Sequence, residues 1–466
     1  MMTVIKRELQ DHMQSIQFAV LLGVSVVLFT ASGFIFSTRC SEQASFYSRN
    51  FGSPGPLRST VRTFLFVRPS PLLFLSEGGN KYQPLEYDLS PKGGLSPGPN
   101  EPRNYKMPEF PELDWSFIIK ILFSLYVVLL GYDTISGEKE LGTLRQVLSQ
   151  PIGRFRLLVA KYIAIMLTIT YPLLIGMLNS LLIIGILFPS IFTGASILRI
   201  ALMFGLSLVY LSVFAFLSLL ISSLIHQSSL SLLALLVIWV CFAIILPNTA
   251  GILSEKFSTI PSEYQTAKQL APMIQQQIWA KIDKVRKKVD SGELKTEEDV
   301  KRETDLAFAE GQQDLIKHYE SYYNTMHERS ALARDLSRSS PVALFEYASE
   351  DIAETGAHQE EKFLRESKEY SGAYDEYILK KVGKVVGQTM WSFGINMMIN
   401  GKNTYIGSPR PEEYRGDPSD FPQFSESQPS ISRSIRDAMT DLIGLILWNM
   451  IFAAFAFRAI LRLDVR

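Results

Sequence analysis

The sequence predicts an α-helical polytopic membrane protein with six transmembrane helices. Three observations carry that prediction: long windows without charge, their length, and the side on which Lys and Arg collect. The 466 residues are 47% hydrophobic, and 46 basic against 46 acidic side chains leave a formal net charge of zero. That balance excludes a disordered acidic chain and a basic nucleic-acid binder. Residues 16–38, 162–198, 200–225 and 227–254 contain no Asp, Glu, Lys, Arg or His. Each reaches the roughly 20 apolar residues that cross a bilayer. Residues 115–132 hold only Lys120 and residues 438–457 only Asp441, each near one end of its segment. A large soluble protein rarely stacks so many such windows.

In chain order, the first span is set at 16–37. Lys6 and Arg7 precede it as a signal peptide's n-region would, but the run is long and no small-x-small cleavage site follows. Cys40 lacks a lipobox-like approach, and two cysteines, Cys40 and Cys241, make no disulfide framework. The second span is set at 115–132, and the third at 154–188 with Pro172 as a kink. The fourth is set at 195–225, the fifth at 229–247 and the sixth at 438–460, before a tail of 461–466.

Lys6 and Arg7 lie before the first span, Lys139, Arg145, Arg154, Arg156 and Lys161 between the second and third, and Arg458, Arg462 and Arg466 after the sixth. Six spans bring all three groups to one side, which the excess of Lys and Arg marks as cytoplasmic. Both termini and the turn His226 to Ser229 share that side.

Two segments then lie outside. Residues 38–114 are rich in Pro and Gly, and 61–67 and 72–75 have strand composition, so a small β element set in loops is expected. Residues 248–437 read as a mostly helical domain. Ile274, Ile278, Ile282, Val285 and Val289 share one helix face, and Asp290-Ser291-Gly292 breaks it. Thr296 caps a second helix whose stripe runs through Leu315, Tyr319, Tyr322 and Met326. Another helix starts at Pro341 and ends near Gly356, before a stretch carrying Phe363, Tyr370, Tyr374 and Ile378.

Between the second and third spans stands "DTISGEKELGTLRQVLSQPIGR". Ser136 is a candidate N-cap, with Glu138 and Glu140 in the first turn where the helix dipole favours them. Leu141, Leu144 and Leu148 form an apolar stripe, Gly142 and Thr143 leave a notch for another backbone, and Gln150-Pro151 stops the helix. A helix of two to four turns outside the bilayer suits docking. It equally suits resting on lipid, with Arg145, Arg154 and Arg156 on headgroups.

This stretch resembles the cytoplasmic coupling helix of bacterial ABC exporter permeases of the type-2 class. The opening "VIKRELQDHMQS" is similar to the amphipathic cytoplasmic helix, residues 1–15 here, that precedes their first span. "LSRSSPVALFEYASEDIAETG" resembles a segment in a subgroup with a large extracytoplasmic insertion before the last span. There the family has "LAGT" where this chain reads Ile352-Ala353-Glu354-Thr355-Gly356. The resemblance implies a membrane subunit of the bacterial cytoplasmic (inner) membrane. It works as a homodimer or a heterodimer with a second permease, alongside two separate ABC ATPase subunits. The coupling helix, 133–153, would place Glu138, Glu140, Gly142, Thr143, Leu144 and Arg145 against the ATPase. Glu138 and Glu140 would meet basic groups there. His226 to Ser229 would add a second contact, and the outer domain an envelope partner.

No Walker A or His-Glu-x-x-His pattern is present, so the chain is expected to carry no catalytic residues, metal or cofactor of its own, with ATP and Mg in the partner. Substrate-binding residues are not named by the sequence. Lys120 and Asp441 each line a pathway or reach the headgroups, Lys120 by snorkelling, with Asp441 placed in the headgroup layer by its nearness to the span end. Asn179, Asn449, Tyr171 and Tyr210 are assigned to interhelical packing. A rival reading has the ATPase cycle move the outer domain mechanically, without transport.

Overall fold

The computed structural model describes residues 2–50, 63–79, 84–90, 94–97, 113–144, 146, 153–257, 263–382, 395–399, 402–406, 422, 424–427 and 430–462. Among them, six helices are long and apolar enough to cross a membrane: Ile16–Arg49, Trp115–Glu140, Arg154–Leu187, Gly194–Leu224, Ser228–Ser254 and Ile431–Leu461. Hydroxyls inside these helices return to their own backbone, as Thr30 Oγ1 donates to Val26 O at 2.6 Å and Thr168 Oγ1 to Ala164 O at 2.8 Å. That closes polar groups where water is absent.

An amphipathic helix, α1 (Met2–Met13), precedes the first span helix, α2 (Ile16–Asn50). α2 runs well past the expected end at residue 37. Residues 39–50 hold neither Gly nor Pro, so nothing punctuates the helix before Gly52 and Pro54. The second span is built from α3 (Trp115–Phe117), a π-helical stretch (Ile118–Phe123) and α4 (Ser124–Gly131). After it come α5 (Ser136–Glu140), α6 (Arg154–Leu187) with Pro172 inside it, and α7 (Gly194–Leu224). The fifth span joins α8 (Ser228–Val240), a second π stretch (Cys241–Ile245) and α9 (Leu246–Phe257), passing the expected end at 247. The chain continues through α10 (Glu263–Asp290), α11 (Glu297–Ser337), α12 (Pro341–Ala353) and α13 (Ala357–Val382). The sixth span, α14 (Ile431–Leu461), starts earlier than expected, with Ser430 as its N-cap.

In the segment after α2, β1 (Thr63–Phe66) pairs antiparallel with β2 (Glu86–Ser90), which pairs with β3 (Gly94–Pro97). The strand expected at 72–75 is instead a turn closed by Leu75 N donating to Leu72 O at 2.9 Å. Pro69 and Pro71 withhold two ladder donors, and Leu72, Leu73, Phe74 and Leu75 plug the main core instead. β2 is the unexpected strand, with Tyr87 and Leu89 alternating inward onto Phe363 and Tyr374.

The α10–α11 hairpin has the expected break: Gly292 turns at φ 75°, and Thr296 Oγ1 accepts from Asp299 N at 3.2 Å. Ile282 and Val285 pack there with Val300, Ala307 and a β4 (Ile395–Ile399) and β5 (Lys402–Ile406) hairpin. The side chains of Ile274, Leu315, Tyr319 and Tyr322 lie outside the described residues, and Met326 is exposed.

α12, within the 248–437 segment, is packed directly onto the spans. Val342, Leu344, Phe345, Ala348, Ile352 and Ala353 belong to the same core as the spans. Phe345 stacks on Tyr210 of the fourth span with ring centroids 4.4 Å apart.

Candidate functional site

The charged segment after the second span is fixed by its neighbours more than by itself. Ser136 is the first residue of α5 and not its cap; its Oγ donates to Tyr132 O at 2.7 Å. The cap comes from the fourth span, where Ser222 Oγ accepts from Ile135 N at 3.0 Å and Ser136 N at 2.9 Å. α5 spans five residues, shorter than the expected two to four turns. Gly142 ends it at φ 71°, a conformation costly for any residue with a side chain. A Cβ there would meet nothing within 4 Å, so Gly142 serves the turn and not a packing notch. Arg145, Leu148 and Gln150-Pro151 lie outside the described residues.

Successive residues of a helix point about 100° apart, and Glu138, Lys139 and Glu140 therefore reach three different neighbours. Glu138 Oε1 accepts from Lys161 Nζ of the third span at 2.8 Å. Lys139 Nζ donates to the carbonyls of Ser223 and Ile225, the latter at 3.3 Å, closing the C-terminal end of the fourth span. Glu140 Oε2 accepts from Ser228 N at 3.0 Å and Ser228 Oγ at 2.7 Å, capping the fifth. The turn His226 to Ser229 thus lies against α5.

Lys161 is the centre of this end. Its side chain is 1% exposed, and its three N–H groups meet three acceptors: Glu138, Glu8 Oε1 of α1 at 2.8 Å, and Thr134 O at 2.9 Å. His12 stands beside this cluster; burial holds its imidazole below the ordinary value, against the opposing pull of Glu8 and Asp133. Arg154 reaches the far helix, donating to Leu461 O at 2.6 Å. Left facing outward are Glu140, Leu141, Gly142 and Thr143, with Leu141 78% exposed, while Leu144 is buried.

At the opposite end of the bundle, ion pairs join the spans to the segments packed on them, α11 and α12 among them. Lys120 does not snorkel; its Nζ pairs with Glu346 Oε1 of α12 at 2.5 Å. Asp441, expected among headgroups, has its side chain fully buried within the protein, with Arg338 Nε on Oδ1 at 2.7 Å. Arg338 Nη2 donates to its second oxygen at 3.3 Å, so the guanidinium takes the place of solvent for this carboxylate. Arg199 of the fourth span pairs with Glu354, and Arg39 of α2 with Glu77 at 2.9 Å. On α12, burial and the nearby Glu346 push Glu350 up to about 8, and on α13 a hydrogen bond that His358 donates to the Asp351 carboxylate raises His358. Asn179 donates to Thr30 Oγ1 at 2.5 Å and Asn449 to Val209 O at 2.9 Å, both between helices. Tyr210 OH donates to Lys120 O at 2.8 Å, and Tyr171 stacks on Phe18 at 6.3 Å.

The family model for ABC-2 family transporter proteins matches residues 2–465. The chain belongs to the ABC-2 transporter family. Its six long apolar helices make it a multi-pass membrane protein of that family. It is also 32% identical over 124 residues to the probable ABC transporter permease protein NosY of Pseudomonas aeruginosa. That match covers 27% of this chain and 45% of the relative, so the chain spans about half the length of the curated relative it matches.

Sequence reasoning found the segment but not its anchor. Lys161 counted only as one of several positive charges, and Glu8 as one charge of an amphipathic helix. The available signal was position: Lys161 lies two turns inside a helix that is thereafter free of charge, where a cation needs partners.

Proposed function

We propose that this chain is the permease of an ATP-driven exporter in a bacterial cytoplasmic membrane, with both termini in the cytoplasm. Separate ATPases, carrying ATP and Mg, dock on the outward-facing turn 140–143, and two permeases, identical or not, form the transporting dimer. The carrying observation is the contrast within one short segment. Glu138 and Lys139 are half-buried against the chain's own spans, whereas Leu141, Gly142 and Thr143 face outward beside Glu140, which is exposed even though one of its oxygens caps the fifth span. Leu141 is the apolar knob of the contact and Glu140 its charged flank, while Glu138 is an internal tie and not a contact. The printed name of the Pseudomonas aeruginosa relative, a probable permease, supports the same reading.

The test is recovery of ATPase activity with the tagged protein from its native membrane, comparing wild type with Leu141→Asp. A charge placed on the knob costs at least about 1.4 kcal/mol of binding, so at least tenfold less ATPase is recovered. Undiminished recovery with a folded variant sinks the docking reading.

The ion pairs at the opposite end favour a second reading, in which the ATPase cycle works the outer helices mechanically, on an envelope partner, without transport. Lys120 and Asp441 are bonded to α12 and to the end of α11, so movement of the second and sixth spans is passed outward. Substrate movement in sealed vesicles separates the two readings.

A further inference from the structure

We propose that Lys161 is a positioning residue for coupling: with Glu8 and Glu138 it clasps α1, the 133–143 segment and the third span into one moving unit. The inference rests on the docking reading above and names how force applied at the exposed turn enters the membrane helices.

The chemistry of the cluster is one-sided. A buried ammonium costs several kcal/mol unless its partners are well placed, and Lys161 has all three donors satisfied, each within 2.9 Å. Its two carboxylates come from far along the chain, Glu8 in α1 and Glu138 in α5. No second cation of the described residues is bonded to either of them, and the other oxygen of Glu138 is buried without a partner. His12, whose imidazole burial pushes below its ordinary value, stands beside the cluster. Without Lys161, two carboxylates face each other with Asp133 nearby, and the cluster repels where it now holds.

The attachments of α5 to the fourth and fifth spans, the Ser222 cap included, differ in kind. Lys139 and Glu140 bond mainly to backbone groups at the ends of the fourth and fifth spans, which fixes the position of α5 without gripping α1 or the third span. α1 packs along the third span and meets the coupling segment at Lys161. A push on residues 140–143 therefore reaches α1 and the third span through one ammonium. If that link is cut, the segment can still hold an ATPase while its movement stops at the membrane surface.

The experiment compares wild type, Lys161→Met and Lys161→Arg, each purified with its ATPase and placed in lipid nanodiscs. Three quantities are read: ATPase bound per permease, ATP turnover, and the change in amide hydrogen exchange of residues 2–13 and 154–165 between ADP and vanadate-trapped states. Wild type shows a nucleotide-dependent change in both stretches. Lys161→Met keeps bound ATPase and turnover within about threefold, but residues 2–13 exchange at least tenfold faster and no longer respond to nucleotide. Lys161→Arg, which keeps the charge, restores the response. Should Lys161→Met not fold, Glu138→Gln, which removes one carboxylate and keeps the cation, shows the same loss in milder form. A wild-type nucleotide response in folded Lys161→Met or Glu138→Gln overturns the clasp. If wild type itself recovers no ATPase, the docking reading fails instead. The clasp is then judged in the permease alone, by whether residues 2–13 and 134–140 lose protection together in Lys161→Met; independent behaviour overturns it.

Discussion

Glu354 ends α12 in the left-handed conformation, at φ 59° and ψ 44°, the one non-glycine positive φ among the described residues. This is where the related subgroup's "LAGT" places a glycine. A side chain there costs roughly 1–2 kcal/mol of backbone strain, so the glutamate is offset by something it does. It pairs with Arg199, a cation 6% exposed in the fourth span, and accepts from Ser434 Oγ of the sixth at 3.4 Å. Glu354→Gly relieves the strain but takes the carboxylate from a buried guanidinium, and breaking a buried pair costs about 3–5 kcal/mol. The variant is therefore expected to unfold at lower temperature than wild type in nanodiscs. An equal or higher midpoint would show that the pair contributes less than the strain it maintains. The sequence marked this position as a departure from the pattern of related chains. It gave no sign of Arg199 as the reason, because the two residues are separated by the fifth span and the helices after it and meet only in the folded bundle.

The two π-helical stretches are a property of elements and not of single residues. Each widened turn frees a carbonyl that another element takes up. In the second span, Lys120 O accepts from Tyr210 OH and from Ser124 Oγ; in the fifth, Phe242 O accepts from Ser340 Oγ at 2.6 Å, one residue before α12. Ser124 is also the acceptor for Trp239 Nε1 at 2.9 Å, linking the second span to the fifth. Tyr210→Phe removes one donor from a carbonyl that keeps a second, and costs about 1 kcal/mol. Ser124→Ala removes a donor and strands a buried indole N–H, costing roughly 2–3 kcal/mol. Thermal midpoints in that order are the expected result; equal midpoints would show that Trp239 finds another acceptor. Helix existence was legible throughout, since absence of charge over some 20 residues has few other causes. The π stretches were not, because "IIKILF" and "CFAII" have the same apolar composition as the α-helix around them. Residues 72–75 misled for a related reason: a fully apolar run looks alike whether it is a strand or a buried turn, and the prolines beside it were the only discriminating signal.

At the scale of the whole molecule, ion pairs hold both ends of an otherwise apolar bundle. Lys161 gathers α1 and the 133–143 segment at one end, and Lys120, Arg199 and Arg338 hold α11 and α12 at the other. Such contacts were illegible in sequence because partners such as Glu8 and Lys161 are distant along the chain and meet only in the folded bundle. The 133–143 segment was legible because its charge stands out locally between two largely apolar runs. What a permease gains from charged ties is rigid-body definition: apolar faces slide against each other and against lipid with little preference, whereas a buried ion pair has one geometry. The pair between Arg338 and Asp441 tests this, because Asp441 is fully enclosed within the sixth span. Arg338→Met leaves that carboxylate without its guanidinium and costs about 3–5 kcal/mol. Arg338→Met combined with Asp441→Leu removes both charges and recovers most of the loss, since an apolar pair of similar volume is nearly neutral for stability. Amide exchange of α12 separates stability from definition. In the double variant the thermal midpoint returns toward wild type while α12 exchanges faster, because its junction with the sixth span has lost its single geometry. If exchange returns to wild type together with the midpoint, packing alone positions α12, and the charged pair serves neither purpose.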